Sequence, residues 1–549
     1  MSGRFATKCR RFQNVLWCCA ALILAVTGLQ GQEQPLITSQ VPEAVSSGLA
    51  PLIGELPATE RLSLAVSLPL RNEDALNAFL QDLYDSSSPS YLQYLTVEEF
   101  ATRFGPTQDD YAAVIDFAGK NGLTLVDRFP NRMVLDVEAP VGNIEKALHI
   151  KLNVYQHPTE SRTFYAPDRE PTVDLDVRLL HISGLDNFSL PQAKNTLMSA
   201  PASKTTGSGP GGSLLGSDVR AAYYGSGPLN GAGQAVGLFE FGPYRMSDID
   251  TYFSNAGQPL NVPIQNVSIN GASLSCTGTC NDVEEALDIE QAISMAPGLS
   301  QLIVYVGKSN VSILNRMVSD NSAKQLSCSW GWADNESTVD PIFQEMAAQG
   351  QSFLVATGDS GSSTPGDVTW PSDDRLVTAV GGTVLTTNGP GGSWKSETAW
   401  SDSAGMPSKN GVYIPKYQQY SGVITSSNHG STTLRNIPDV ASVSTGMYVC
   451  SNNTCRQQGG GTSYAAPQWA SIIAMVNQQR SANSEAPIGF LNPSLYTFGI
   501  GSGYGADFHD ITSGNNGQYS AVAGYDLVTG WGSPKAGNLI NALASVPKR

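Results

Sequence analysis

Four short apolar runs, at residues 235–239, 302–306, 325–329 and 352–356, alternate with helical stretches at 247–254, 282–296, 311–320 and 339–349. Runs of four to six apolar residues bounded by turn signals read as strands buried on both faces, and their alternation with helices predicts a parallel sheet covered on both sides. In such sheets chemistry gathers beyond the carboxyl ends of the strands. Candidate functional residues are therefore sought just after those runs.

The rest of the chain is built differently. Residues 34–190 read as one α+β unit: a strand at 62–68, helices at 73–84, 96–104 and 109–121, strands at 124–129 and 132–138, and a helix at 141–149. Between the two units, residues 193–217 lack periodicity and hold Gly207-Ser-Gly-Pro-Gly-Gly212, which predicts a flexible, protease-accessible linker. At the start, Arg4, Lys8, Arg10 and Arg11 precede an apolar run over 15–29, the pattern of a secretory signal peptide ending near residue 31. That run is shorter than the roughly 20 residues a spanning helix needs.

Charge narrows the function classes. Lys and Arg total 32 against 48 Asp and Glu, a net charge of −16, with no basic block beyond the first residues. A nucleic-acid binder held by phosphate contacts is excluded. Of the eight cysteines, Cys9, Cys18 and Cys19 fall in the signal. Cys276/Cys280 and Cys450/Cys455 form two local pairs, expected as short-loop disulfides in an exported protein, and Cys328 is expected to be a buried free thiol.

Gly461-Thr-Ser463-Tyr-Ala-Ala-Pro467 opens a helical pattern over 464–480. A serine there is ordinarily a helix N-cap. The glycines at 459–461 allow close backbone approach, and a helix start offers free N–H groups, so Ser463 is equally a candidate nucleophile. Its base is not an obvious histidine. His429 lies only shortly upstream without a strand-to-helix context, and His509 follows the serine. Carboxylates are the alternative: Glu284 and Asp288, four apart, share one helix face, where like charges destabilise unless they share a proton or serve a site. Asp282 and Glu285 are spaced for a capping box.

Glu284-x-x-Leu-Asp288-Ile on a helix, Thr357-Gly-Asp359-Ser-Gly361 after a strand, and Gly-Thr-Ser463 together resemble the sedolisin family of kumamolisin-like serine-carboxyl peptidases. Tyr91-Leu-Gln-Tyr-Leu-Thr96-Val-Glu-Glu-Phe100 resembles that family's activation prodomain, and Asp218-Val-Arg-Ala-Ala-Tyr-Tyr224 the start of its mature enzyme. The resemblance implies an α/β, subtilisin-like catalytic domain over 218–549, preceded by a signal peptide (1–31), an α+β ferredoxin-like prodomain (32–192) and a cleavable linker (193–217).

By the same resemblance Ser463 is the nucleophile, Glu284 its base, Asp288 the partner orienting Glu284, and Asp359 a donor to the oxyanion, which requires a protonated carboxyl. Glu240, Trp330 and Gly331 are expected to extend the network or meet substrate. Asp510, Ile511, Val522, Gly524 and Asp526 resemble the family's loop for one Ca2+ ion, a site of hard oxygen donors. The expected protein is a secreted, monomeric, acid-acting endopeptidase zymogen. It takes peptide substrates, is inhibited by its own prodomain, and in mature form binds neither nucleic acid nor membrane. A tripeptidyl exopeptidase and an inactive binding protein are the alternatives.

Overall fold

A computed structural model describes residues 34–35, 40–195, 206–278, 280–333, 336–362 and 370–546. The expected signal peptide and residues 196–205 of the expected linker lie outside the described residues. Among those described, no helix is long and apolar enough to cross a membrane.

The N-terminal unit carries an antiparallel sheet ordered Thr124–Arg128, Val134–Pro140, Arg61–Ser67, His181–Ser183. Taken in chain order, this is the 4-1-3-2 arrangement of a ferredoxin-like unit, with helices Glu73–Leu83 to Gln108–Lys120 in the first crossover and Val141–Leu148 opening the second. Local chemistry sets the helix boundaries. Thr96 and Glu99 form a reciprocal capping box at the helix Val97–Arg103, and Thr107 caps Gln108–Lys120.

The C-terminal unit is an eight-stranded sheet. Its main path runs Ile264–Ser268, Gln301–Val306, Ala235–Glu240, Gln325–Cys328, Ser352–Ala356, Thr378–Thr387, Trp394–Ala399, and Val440–Val443 also pairs with Thr378–Thr387. Every pairing is parallel except that of Trp394–Ala399. The chain leaves Ala235–Glu240 toward one edge and later returns to its other side with Gln325–Cys328. The order therefore reverses there, opening a crevice at the carboxyl ends of those two strands. Helices Val283–Met295 and Ala465–Ala482 pack against each other; the first is buried along its whole length.

Both expected disulfides form, Cys276–Cys280 and Cys450–Cys455, and Cys328 is a buried free thiol. The expected capping box of Asp282 and Glu285 does not form: Asp282 makes no side-chain cap. Its carboxylate instead accepts from the backbone of Asn452 at 2.7 Å and Arg245 at 2.9 Å, and pairs with the Arg245 guanidinium at 3.0 Å. Charge pairing with a residue remote in sequence outcompetes the local cap.

The two units share one apolar core, with Leu76, Leu80, Phe100 and Phe104 packed into the same cluster as the C-terminal sheet. Tyr84 donates to Ala347 O at 2.7 Å and Tyr94 to Pro487 O at 3.0 Å. Two buried carboxyls seal the contact. Asp136 accepts from Ser312 Oγ at 2.8 Å, and Glu345 from Asn131 Nδ2 at 2.8 Å. Burial pushes Asp136 up to about 7, with nearby Asp127 adding to it, and Glu345 up to about 8.

A carboxyl raised in the folded state leaves full stability below its unfolded value of about 4 and costs stability as pH rises through its folded value. The full-length Ser463→Ala protein is accordingly expected to melt higher at pH 5 than at pH 8. Asp136→Asn with Glu345→Gln should remove part of that difference, on the order of a few kcal/mol. Thermal melts at the two pH values check this, and an unchanged difference in the double variant would refute it.

Candidate active site

Glu240 ends the strand Ala235–Glu240, Trp330 follows Gln325–Cys328, and Asp359 follows Ser352–Ala356, so all three stand at the carboxyl edge of the sheet. Helix Val283–Met295 lays Glu284 and Asp288 over the same edge, one turn apart. Ser463 lies in a short 3-10 turn, Thr462–Tyr464, ahead of Ala465–Ala482, and its hydroxyl caps neither helix. The capping role is thereby excluded.

The side chains form a buried chain of contacts. The contact of Ser463 Oγ with Ser329 O, at 3.5 Å, is too long to be a strong hydrogen bond. The hydroxyl also stands near enough to Glu284 to favour its ionised form. Ser329 Oγ donates to Asp288 Oδ1 at 2.8 Å. Trp330 Nε1 donates to Glu240 Oε2 at 2.9 Å. Buried Glu240 Oε1 and Asp288 Oδ2 have no hydrogen-bond partner, and the Glu240 carboxyl stands near enough to Asp288 to favour its ionised form. Two carboxyls so placed share a proton rather than ionise together.

Desolvation dominates the electrostatics. Burial lifts Glu284, Asp288 and Glu240 well above the ordinary carboxylate range, and the charge of Asp288 lifts Glu284 and Glu240 further. Glu285 joins the cluster, pushed up to about 8 by burial and by Asp282 and Asp288. A Cβ on Gly242 would stand 2.5 Å from Glu285 Oε1, so a side chain there would push the Glu285 carboxyl out of its present place.

Asp359 Oδ1 accepts from Thr462 N at 2.8 Å and from Thr462 Oγ1 at 2.9 Å, and Gly358 N donates to Thr462 Oγ1 at 2.9 Å. Gly358, at φ 121°, occupies a region that L residues rarely adopt, and this turn delivers Asp359 beside the Ser463 turn. The histidines do not take part. His429 is exposed at φ 56°, and His509 stacks on Trp394 with centroids 4.1 Å apart.

The structure thus brings Ser463, Glu284, Asp288, Asp359, Glu240 and Trp330 together, while Gly331 serves as backbone. The linker's ends are seated rather than loose. Gln192–Ala193 pairs antiparallel with Trp330–Gly331, and the Asn195 amide donates to Glu284 Oε2. Beyond residue 205, Thr206 Oγ1 bonds Thr387 Oγ1 at 2.7 Å, Ser208 N donates to Asp218 at 2.9 Å, and Gly216–Tyr223 is helical. Sequence reasoning missed Ser329, Thr462 and Asn195, and read Glu285 only as part of a helix cap. Of these, only Ser329 carried a signal, as the polar residue closing a strand-like run at the sheet edge.

Far along the chain, Asp510 and Asp526 converge on 522–524. Gly524 N donates to Asp510 Oδ1 at 3.1 Å and Val522 N to Asp526 Oδ2 at 3.0 Å. Asp526 is fully buried and has no cationic side chain paired with it among the described residues.

Residues 51–188 match the family described as "Pro-kumamolisin, activation domain". Kumamolisin of Bacillus sp. (strain MN-32) is 30% identical over 92% of this chain and 94% of its own. Tripeptidyl-peptidase 1 of Homo sapiens is 26% identical over 89% of this chain and 93% of its own. Among solved structures, Pseudomonas sedolisin, a serine-carboxyl proteinase complexed with pseudo-iodotyrostatin, matches 60% of this chain and 98% of its own, at 27% identity and a TM-score of 0.51.

Proposed function

The chain belongs to the sedolisin family of serine-carboxyl peptidases, with an activation domain ahead of the catalytic domain, and on that premise we propose that it is the zymogen of an acid-acting, secreted endopeptidase. Ser463 is the nucleophile, Glu284 the base, Asp288 the partner that orients Glu284, and Asp359 the oxyanion donor.

One observation carries the reading: the Ser463 hydroxyl stands against a carboxyl-only relay, Glu284 and Asp288 backed by Glu240, with no histidine in the site. Glu284 takes the Ser463 proton as the oxygen attacks the substrate carbonyl and returns it to the leaving amine. Protonated Asp359 and the Ser463 N–H meet the developing oxyanion. The relay excludes bulk water, which strengthens each of these interactions. An endopeptidase is favoured because the prodomain tail enters the site as continuous chain from Gln192 to Asn195, so the side it enters from is open to a long chain.

An active-site titration at acid pH tests this. One equivalent of a peptide aldehyde should be taken up per mature wild-type chain and none by Ser463→Ala. Absence of uptake by the wild type would mark an inactive binding protein instead.

The C-terminal loop fits one Ca2+ ion. Its donors are hard oxygens, the carboxylates of Asp510 and Asp526 and the carbonyls of Ile511, Val522 and Gly524, and the buried Asp526 carboxylate otherwise lacks a countercharge. Asp510, Ile511, Val522, Gly524 and Asp526 would hold it, and its charge would neutralise the two carboxylates. Its binding energy is folding energy. EDTA is expected to lower the melting temperature of the mature enzyme by about 5–10 °C, and Asp510→Ala should do the same without EDTA. An unchanged melt in EDTA would remove the site.

A further inference from the structure

The residues that leave the prodomain do not merely shield the site; they lie in it in register. Gln192 pairs with Gly331 and Ala193 with Trp330. Lys194 N donates to Ser329 O at 2.8 Å, and Lys194 O accepts from Ser463 N at 3.2 Å. The next residue, Asn195, sends its side-chain amide to Glu284 Oε2. A Cβ on Gly461 would stand 2.9 Å from Lys194 O and 3.0 Å from Asn195 Cα, so the glycine is what lets this segment approach so closely.

A carbonyl oxygen on the backbone N–H of the nucleophile occupies the place where an oxyanion is stabilised. Ala193, one residue earlier, is held in the strand ladder, and Asn195, one later, lies against the base. The carbonyl presented to Ser463 is that of Lys194.

The Lys194 side chain supplies a second, independent indication. The residue is only 6% exposed. Its ammonium lies near enough to Cys328 to oppose the rise in that thiol's pKa, and Cys328 also feels Glu240 and Asp288. A buried ammonium is tolerated where anionic groups surround it. The acyl side of the cleft thus encloses a whole lysine side chain.

We infer that the self-processing bond is Lys194–Asn195, and that the acyl side of the cleft takes a basic side chain, so that peptides with Lys or Arg before the scissile bond are preferred substrates. The inference rests on Ser463 as nucleophile. In the step, Ser463 Oγ bonds to the Lys194 carbonyl carbon and the Lys194–Asn195 C–N bond breaks. The serine proton passes through Glu284 to the Asn195 nitrogen. Water then cleaves the ester, leaving a carboxyl group on Lys194 and restoring the serine hydroxyl.

The test is intact-mass analysis of the earliest products when full-length protein is acidified, together with a synthetic peptide of residues 190–199. The expected products are a fragment ending at Lys194 and a partner beginning at Asn195. Lys194→Glu should slow conversion at least tenfold while Lys194→Arg restores it. Mature wild-type enzyme should cleave the Lys peptide at least tenfold faster than its Glu analogue.

First products cut elsewhere, with Lys194→Glu processing at the wild-type rate, would overturn this inference and leave the nucleophile standing. If Ser463→Ala gives the same fragments at the same rate, both fail together. Should the Lys and Glu peptides turn over equally, the basic preference is wrong even if the bond is right.

Discussion

Glu284→Gln is expected to lower peptide turnover by about 10⁴-fold or more, the scale on which loss of a triad's proton acceptor is felt. An amide cannot accept the Ser463 proton, while its size and its contact with Asn195 are nearly preserved, so the fold should survive. The pH profile of the wild type should be a bell confined to the acid side. The four carboxyls Glu240, Glu284, Glu285 and Asp288 are buried side by side, each pushed upward first by desolvation. They titrate as a group, and activity needs a mixture of charged and neutral members.

With the prodomain tail in place Glu284 is only 2% exposed. Its departure readmits water and lets Glu284 return toward the ordinary carboxyl value. The optimum of the mature enzyme is therefore expected at about pH 3–5, from reference values near 4. A histidine base would instead give a rate rising to a plateau near pH 7–8. His429→Ala should leave activity nearly intact, since His429 is exposed. Kinetics of the three proteins from pH 2 to 8 decide the matter, and a neutral plateau lost with His429 would replace the carboxylate mechanism.

The second large effect is on maturation. Purified full-length Ser463→Ala is expected to remain one chain at acid pH while the wild type shortens within 193–217. An ion pair crosses the prodomain contact, Arg316 to Asp127 at 3.5 Å, but its side chains are 32% and 37% exposed and such a pair contributes little, so acid alone is not expected to separate the units. Asp136 and Glu345 are raised, so the docked state gains stability as pH falls. The shared apolar core and the Tyr84 and Tyr94 contacts carry no charge to be titrated away in acid. Cleavage by Ser463 is then the step expected to begin release. Gel electrophoresis over a time course at pH 4 checks this; equal shortening of the Ser463→Ala protein, free of other proteases, would show that processing is not autocatalytic.

The helices and strands that carry the site lay open in the chain because their signals are local. Strand Ser352–Ala356 is apolar on both faces, and the Glu284/Asp288 spacing places both acids on one side of a helix whatever surrounds it. The strand pair Thr378–Thr387 and Trp394–Ala399 went unread: rich in Gly, Thr and Ser, it has no periodic apolar pattern, and its register comes from its partner. The Asp282/Glu285 box failed for a related reason, since Arg245 reaches Asp282 from a remote part of the chain. The linker was legible as a break in composition. Its seating against Trp330–Gly331 was not, because backbone pairing leaves no mark on side-chain sequence.

By itself, the sequence determined the chemistry available: a serine after glycines at a helix start, two acids one turn apart, an aspartate following a buried strand, and a domain ahead of a glycine-rich break. Residue type and short spacing suffice for these, since they depend on covalent geometry and on the pitch of a helix. Only the tertiary structure decided that Glu240 from one strand and Asp288 from a helix are buried side by side, that Ser329 bridges Asp288 to the Ser463 turn, and that Lys194 lies over the nucleophile. Those relations depend on distances across elements far apart in the chain and on the exclusion of water, and both exist only once the sheet, the helices and the prodomain are packed together.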